Sequence, residues 1–595
     1  MATQTIDLKP VDVGLKREMG FIGAMWASET SIIGSGWLFG SYFAAQALGP
    51  SAMWAWIIAG IPVIILALVH AELGGMFPVA GGTARFPHLA FGSGAGISFG
   101  FFSWLQAVTV APVECFAVMQ YGQYWFNSHP GFTIFNATTG NVTHWGFVLT
   151  IVLMAIFTAV NFLAMRIFAQ VNNVITYWKV LIPVVAIIVL FFKFHPHNFS
   201  VNGGLNPGHI PANSINGFSY SGWHALFYTI PVAGIVFAYL GFEQADQLAG
   251  EVKNPQRNLP WAIIGAVLIG TAIYVLLQVV FIGAVNPSLL AHNFGIFNGH
   301  VRLTGFQQLV CPPAPKACPT QVANLVAGPF AAIAGLAALG WLANLLRIDA
   351  FVSPFGTGQM YQTSTSRVGY GLARNRYYPS MFTKTDRNGV PWFSLIIAFV
   401  FGLIFLLPFP SWHSLVGLVT SASVLMYAGA PLAMGAFRKV LPDAARPYKM
   451  AGAVVLAPLA FIFANLIIYW SGFETLWKLG AAIIIGYLLI LMHFSDNPHA
   501  PKINWKKSIW LGVYLVGMGI ISWQGQYGPE NTFRIPFWWD MLIVAIFSLV
   551  IYYWAIASCQ TREEMDASIA QQSGGSEDWE AQVTEGGGAA EAPAA

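Results

Sequence analysis

The apolar run at 19–45 is long enough to cross a bilayer, yet Gly34-Ser35-Gly36 sits at its middle. A helix buried in lipid satisfies its own backbone hydrogen bonds. Gly-Ser-Gly weakens that helix and lets the backbone unwind. Unwinding at membrane depth is tolerated only where the freed N–H and C=O groups face protein or a water-filled cavity. Groups freed there can bind a small zwitterion or an ion. A second such stretch, Phe237-Ala238-Tyr239-Leu240-Gly241-Phe242-Glu243, falls in the sixth apolar run. Two interrupted helices in corresponding positions of two halves point to a transport site. The plainer alternative is that Gly34 and Gly36 only allow close helix packing; the second stretch weighs against it.

Charged residues are 9% of the chain and hydrophobic ones 56%, against about 25% charged in a soluble domain. This composition describes a polytopic membrane protein, and the net charge of +3 says little about partners. A helix of about 20 apolar residues spans a bilayer, and on that rule about fourteen spans are expected. They lie near 20–43, 51–76, 95–126, 146–164, 172–193, 222–249, 261–284, 323–353, 391–408, 412–437, 451–470, 473–494, 508–523 and 536–557. The thirteenth is the weakest, being short and interrupted by Ser522, Gln524 and Gln526. With the N-terminus inside, the cytoplasmic segments collect roughly 20 Lys and Arg against 5 outside, a strong positive-inside bias. Both ends are then cytoplasmic. No cleavable signal peptide is visible.

Residues 1–19 read as a cytoplasmic N-terminus, 20–193 as one half of five spans and 222–437 as a second half of five. Five is odd, so the second half enters the membrane from the opposite side, giving an inverted repeat of the kind alternating-access carriers use. Four further spans occupy 451–557, where scaffold and homo-oligomer contact are both reasonable uses, and 573–595 reads as a disordered tail. Cys311 and Cys318 share one polar loop and can pair if that loop faces an oxidising side.

Several motifs resemble the amino acid–polyamine–organocation (APC) family of permeases: Ile33-Gly34-Ser35-Gly36, the block from Glu72 to Gly82, and Phe237 to Glu243 followed by Ala249 to Pro260. Ser366-Arg367 through Asn375 looks like the family's loop after span eight. Ala111-Pro112-Val113-Glu114 and Ile348 to Pro354 look most like its bacterial aspartate–proton symporter branch. The four extra C-terminal spans depart from the family's usual twelve. The resemblance implies an all-α LeuT-type core, a 5+5 inverted repeat, carrying an amino acid near the bilayer midplane. It implies that N–H groups of Gly34, Ser35 and Gly36 hold the substrate carboxylate. Carbonyls of Ile32, Ile33, Phe237, Ala238 and Leu240 would meet its ammonium, and Phe237 would close over it as a gate. Helix-end electrostatics agree, since N-termini favour anions and C-termini cations. An ordinary core Phe is the alternative for Phe237.

Charges inside a bilayer cost at least about 2.5 kcal/mol each and usually have a task. Lys179 lies in span five, where the resemblance implies an ammonium standing in for a sodium ion and coupling transport to protons. Snorkelling to the inner interface is the alternative. Glu114, mid-span in the third segment, can accept a proton or contact the substrate ammonium. Glu243 can cap the half-helix after the break or bind water. Arg347 and Asp349 are two residues apart and cannot face each other on a helix, so each needs a partner elsewhere. For Arg347 that is Glu114 or a substrate side-chain carboxylate. Glu29 reads as structural, and Ser353 and Thr357 as lining the Lys179 site or bonding back to their own helix.

The sequence holds no nucleophile–base pair, zinc spacing or phosphate loop, so no enzyme, cofactor, metal or nucleic-acid partner is expected. The partners expected are an amino acid, protons and the lipid bilayer. The reading is proton-coupled amino-acid import, of aspartate or another acidic amino acid. The rivals are an amino-acid exchanger and a cation transporter built on the same core. Lys179 speaks against the second, because it would repel the ion.

Overall fold

The computed structural model describes residues 17–574 except 128–130, 137–140, 163–164, 216–217, 292–295, 298–300, 303, 310–318, 408, 410, 497–501 and 530–533. Cys311, Cys318 and the tail beyond 574 lie outside the described residues.

The first span is two helices, α1 (Phe21–Ile32) and α2 (Ser35–Leu48). Next come α3 (Ala52–Met76), a short α4 (Gly82–Phe91), α5 (Ser93–Phe126), α6 (His144–Val160) and α7 (Met165–Phe191). The sixth span is in three pieces, α8 (Gly222–Val232), α9 (Ile235–Tyr239) and α10 (Gln244–Gln247), and leads to α11 (Pro255–Ala284). Short α12 (Pro287–Ala291), α13 (Thr320–Ala327) and α14 (Pro329–Leu336) precede α15 (Gly340–Arg374) and α16 (Trp392–Leu406). α17 (Trp412–Tyr427) runs into α18 (Gly429–Val440). The C-terminal helices are α19 (Ala453–Trp470), α20 (Phe473–Asp496), α21 (Trp505–Gln524), α22 (Phe537–Ala557) and a short α23 (Arg562–Gly574). Among the described residues, strands form only three antiparallel hairpins, pairing Phe135 with Val142, Ser214 with Ser219 and Phe297 with Val301. Eight helical segments among the described residues are long and apolar enough to cross a membrane.

Side chains are sorted as lipid demands. Val174, Leu181 and Ile188 of α7, Ile484 and Leu488 of α20, and Val516 and Ile520 of α21 face outward. Glu29, Glu114, Lys179 and Asp349 are fully buried. Apolar side chains outside and ionisable ones inside reverse the order of a water-soluble protein. α3 packs along α11 and α5 along α15, so the second span meets the seventh and the third meets the eighth.

The eighth span is a correction. Residues 323–339 fold as the ends of α13, α14 and a turn, with Ala338 at φ 61°, and the long helix is Gly340–Arg374 rather than 323–353. Hydropathy scores transfer into lipid. The second half of α15 is rich in Ser, Thr and Gln and is buried by protein, so it does not read as a span. Ser366 and Arg367 are accordingly helical and buried, and the expected loop there is absent.

One face of the molecule is closed by ion pairs. Glu72 of α3 accepts from Arg438 at 2.5 Å and Arg446 at 3.2 Å, and from the Met450 amide at 2.8 Å. Arg367 of α15 meets Glu251, just past α10, at 2.9 Å with both side chains nearly water-free. Met19 bridges to Val252 beside this pair. This is the basic face; the strand hairpins mark the other.

Candidate functional site

The first break is at Ile33 and Gly34. Ile33 has φ −81°, ψ 81° and Gly34 φ −114°, ψ −143°, outside helical values. The Gly34 amide turns back to the Ile32 carbonyl at 2.9 Å, and the Tyr274 hydroxyl donates to that same carbonyl at 2.6 Å. The Ser35 amide donates to Glu114 Oε2 at 2.9 Å, so the third span places a carboxylate on the N-terminus of α2. The Ser35 hydroxyl accepts from Trp412 Nε1 at 2.8 Å. A side chain on Gly34 would stand 2.7 Å from both Glu114 Oε1 and Thr357 Oγ1, so the carboxylate and threonine close on the bare backbone.

The sixth span breaks twice. Gly234, at φ 83°, separates α8 from α9, and Leu240 to Glu243 separate α9 from α10. The sequence places one interruption at Phe237–Glu243, but Phe237, Ala238 and Tyr239 form a helical turn and the opening follows them. Gly241 at φ 116° tolerates no Cβ: one would meet Ser31 of α1 at 2.6 Å. A Cβ on Gly36 would meet Ala238 Cα at 2.6 Å. The two broken spans therefore touch backbone to backbone, which explains why glycine recurs in both. The Phe237 carbonyl accepts the Leu240 amide at 3.1 Å, and its ring stands edge-on to Trp412 with centroids 5.8 Å apart. Glu243 does not cap α10. Its Oε2 takes the Gly241 amide at 3.0 Å and the Tyr427 hydroxyl at 2.5 Å, while Oε1 takes Gln244 Nε2 at 2.9 Å. It pins the opened backbone instead.

Lys179 does not snorkel. Its Nζ is buried and donates to the Thr30 carbonyl, to Thr30 Oγ1 at 3.3 Å and to Thr357 Oγ1 at 2.7 Å. Thr357 in turn donates to the Thr30 carbonyl at 2.8 Å. The ammonium thus joins the last turn of α1, where unpaired carbonyls favour a cation, to α15. Three carboxylates, Glu114, Asp349 and Glu29, lie within its electrostatic range. Asp349 accepts from Ser353 at 2.9 and 3.0 Å and from Trp178 Nε1 at 2.9 Å, which supplies the partners its position requires. Neither oxygen of Glu29 has a hydrogen-bond partner among the described residues. That is an expensive state for a structural carboxylate.

Arg347 is a correction. It bonds Asn344 at 2.8 Å, stacks over Tyr124 at 3.5 Å and lines a cavity of about 130 Å³ with Tyr121 and Gly328. It is not bonded to Glu114. Misplacing span eight put it too deep. Trp412 was not foreseen; one tryptophan among 22 carries no signal until α17 lays it over Ser35 and Phe237. Thr30 was missed as well. Among the described residues no cluster of three or more His, Cys, Asp or Glu is arranged to hold a metal ion.

A family model described as "Amino acid permease" matches residues 19–479. The chain belongs to the amino acid permease family. The glutamate/serine transporter AimA of Bacillus subtilis (strain 168) is 35% identical over 554 residues, 91% of this chain and 94% of the relative. The aspartate-proton symporter of the same organism is 34% identical over 534 residues, 88% and 93% of the two chains. A crystal structure of an Eremococcus coleocola manganese transporter mutant aligns at TM-score 0.49 and 12% identity, covering 90% of this chain and 94% of that one. The two Bacillus relatives match too large a share of the chain for the likeness to stop at the core, so it reaches into the C-terminal helices. This permease is a multi-pass membrane protein and a secondary amino-acid transporter, not an enzyme.

Proposed function

We propose that this permease imports an acidic amino acid with protons, by alternating access around the two broken spans. The basic face and both chain ends are cytoplasmic, in line with the positive-inside bias. The core is a five-plus-five inverted repeat in which α1–α7 correspond to α8–α18. The names of the two Bacillus relatives, a glutamate/serine transporter and an aspartate-proton symporter, support the substrate class.

One observation carries the coupling: Glu114 occupies the Ser35 amide. That N–H belongs to the helix N-terminus where a substrate carboxylate is expected to bind, with the amides of Gly34 and Gly36. The substrate carboxylate and Glu114 compete for one donor. Two carboxylates about 4 Å apart repel by about 4 kcal/mol at an effective dielectric of 20. Glu114 yields the amide when it takes a proton, and loading the substrate then means loading a proton. The ammonium of the substrate meets the carbonyls of Ile32, Ile33, Phe237, Ala238 and Leu240, with Phe237 and Trp412 closing over it. Lys179 ties α7 to α1 and α15 while charged and loosens that hold when it loses its proton.

Uptake of radiolabelled L-aspartate into proteoliposomes, with and without an inward pH gradient, tests this. Accumulation that follows the gradient supports symport. Uptake that needs internal amino acid and ignores the gradient makes the permease an exchanger and ends the proton-coupled reading.

A further inference from the structure

Beneath the central site, toward the basic face, lies a second buried acid–base pair that the preceding scheme leaves unused. His70 Nδ1 of α3 stands 3.1 Å from Asp246 Oδ2 of α10, and both side chains are fully buried. The His70 ring is edge-on to Tyr427 at 5.7 Å and to Phe242 at 5.4 Å. Tyr427 is also the partner of Glu243, so the imidazole packs directly on the ring whose hydroxyl serves the break. His70 Nε2 and Asp246 Oδ1 have no hydrogen-bond partner among the described residues. A Cβ on Gly74 would lie 1.9 Å from Asp246 Oδ1, so the chain keeps a glycine where this carboxylate must fit.

Polar side chains gather near Glu114 and Glu243 as well. Tyr361 of α15 lies beside Gln106 and Gln244 and within electrostatic range of both Glu114 and Glu243. The Tyr361 hydroxyl and the side-chain amide of Gln106 are buried together. Buried polar atoms normally find partners. A buried polar group within reach of two carboxylates, Glu114 and Glu243, inside a membrane is what a proton route needs. The charged groups on the elements around the pair are Glu243, Arg85 and the Arg367–Glu251 ion pair. Glu72, two residues from His70, is already held by Arg438 and Arg446.

We propose that His70 and Asp246 form the proton-release station of the transport cycle. The inference rests on the proton-coupled reading given above. With one shared proton the pair is neutral overall, as imidazolium and carboxylate or as imidazole and carboxylic acid. The pair passes its proton to water when α10 and α15 separate at the Arg367–Glu251 contact. It is refilled by the proton that Glu114 gives up as the substrate leaves.

Asp246→Asn and His70→Gln test this in full-length protein in proteoliposomes, with L-aspartate as probe and with counterflow exchange measured beside net uptake. Exchange needs no proton release, because the loaded carrier shuttles with its proton. In wild type, one pH unit supports about tenfold accumulation per coupled proton. Both variants are expected to keep exchange within about twofold, while accumulation falls to about unity. The pH profile of net uptake is expected to flatten in both. Variants that accumulate like wild type overturn the proposal. So does loss of exchange together with uptake, folded or not, which would assign the pair to the scaffold; His70→Gln keeps a hydrogen-bonding group against Asp246 and guards against reading a packing defect as a relay. A wild type that ignores the gradient would instead remove the proton-coupled reading itself.

Discussion

The central core and the C-terminal helices both bury polar groups, and they handle them differently. In α19–α22 the helices are continuous, and polar side chains bond to one another across them. Asn465 bonds Ser548 at 2.9 Å and Tyr514 at 2.6 Å. Asp540 takes the Tyr469 hydroxyl. In the core the helices are broken, and charged side chains reach backbone instead: Glu114 the Ser35 amide, Glu243 the Gly241 amide, Lys179 the Thr30 carbonyl. Side chain on side chain fixes two rods together. Side chain on opened backbone holds a position that a ligand or a proton can take over. The first arrangement is that of a scaffold and the second that of a moving site.

Substitutions separate the two regions. The largest effect is expected for Gly36→Val, which drives a side chain into the Ala238 backbone. A displacement of about 1 Å at such a contact costs on the order of a hundredfold in rate, so uptake should vanish while the purified protein stays monodisperse in detergent. Next, Lys179→Ala removes the ammonium of α7 that bonds both Thr30 of α1 and Thr357 of α15. Accumulation under a one-unit pH gradient should fall from about tenfold to about unity, with some exchange surviving; unchanged accumulation would take Lys179 out of the coupling. Asn465→Ala should lower thermal stability by about 1–3 kcal/mol, the cost of stranding buried partners, and leave the KM for aspartate alone. A shifted KM would erase the distinction between scaffold and site. The smallest effect belongs to Trp412→Phe. It removes the hydrogen bond to Ser35 Oγ but keeps the aromatic cover over Phe237, so KM should rise several-fold, matching about 1 kcal/mol.

Much of this was legible in the sequence, for reasons that also explain the failures. Gly34-Ser35-Gly36 stands out because it weakens a helix in mid-span, and Lys179 and Glu114 because charge at that depth is costly. Span eight was misplaced because α15 is wrapped in protein, where Ser, Thr and Gln are welcome and hydropathy is mute. The same slip offered Glu114 as a partner for Arg347, which bonds Asn344 and covers Tyr124 instead. The opening in the sixth span falls after Tyr239, not at Phe237, because Gly241 alone can take φ 116° against Ser31. Trp412 and Thr30 enter the site only through packing between distant spans.

The contest between Glu114 and substrate for the Ser35 amide is tested most directly by counting protons. Purified permease in weakly buffered detergent, titrated with L-aspartate beside a pH-sensitive dye, should take up about one proton per aspartate bound, as linkage requires when binding displaces a carboxylate that must then be protonated. Glu114→Gln should bind aspartate with no uptake. Aspartate binding to wild type without proton uptake, or uptake that persists in Glu114→Gln, would contradict it.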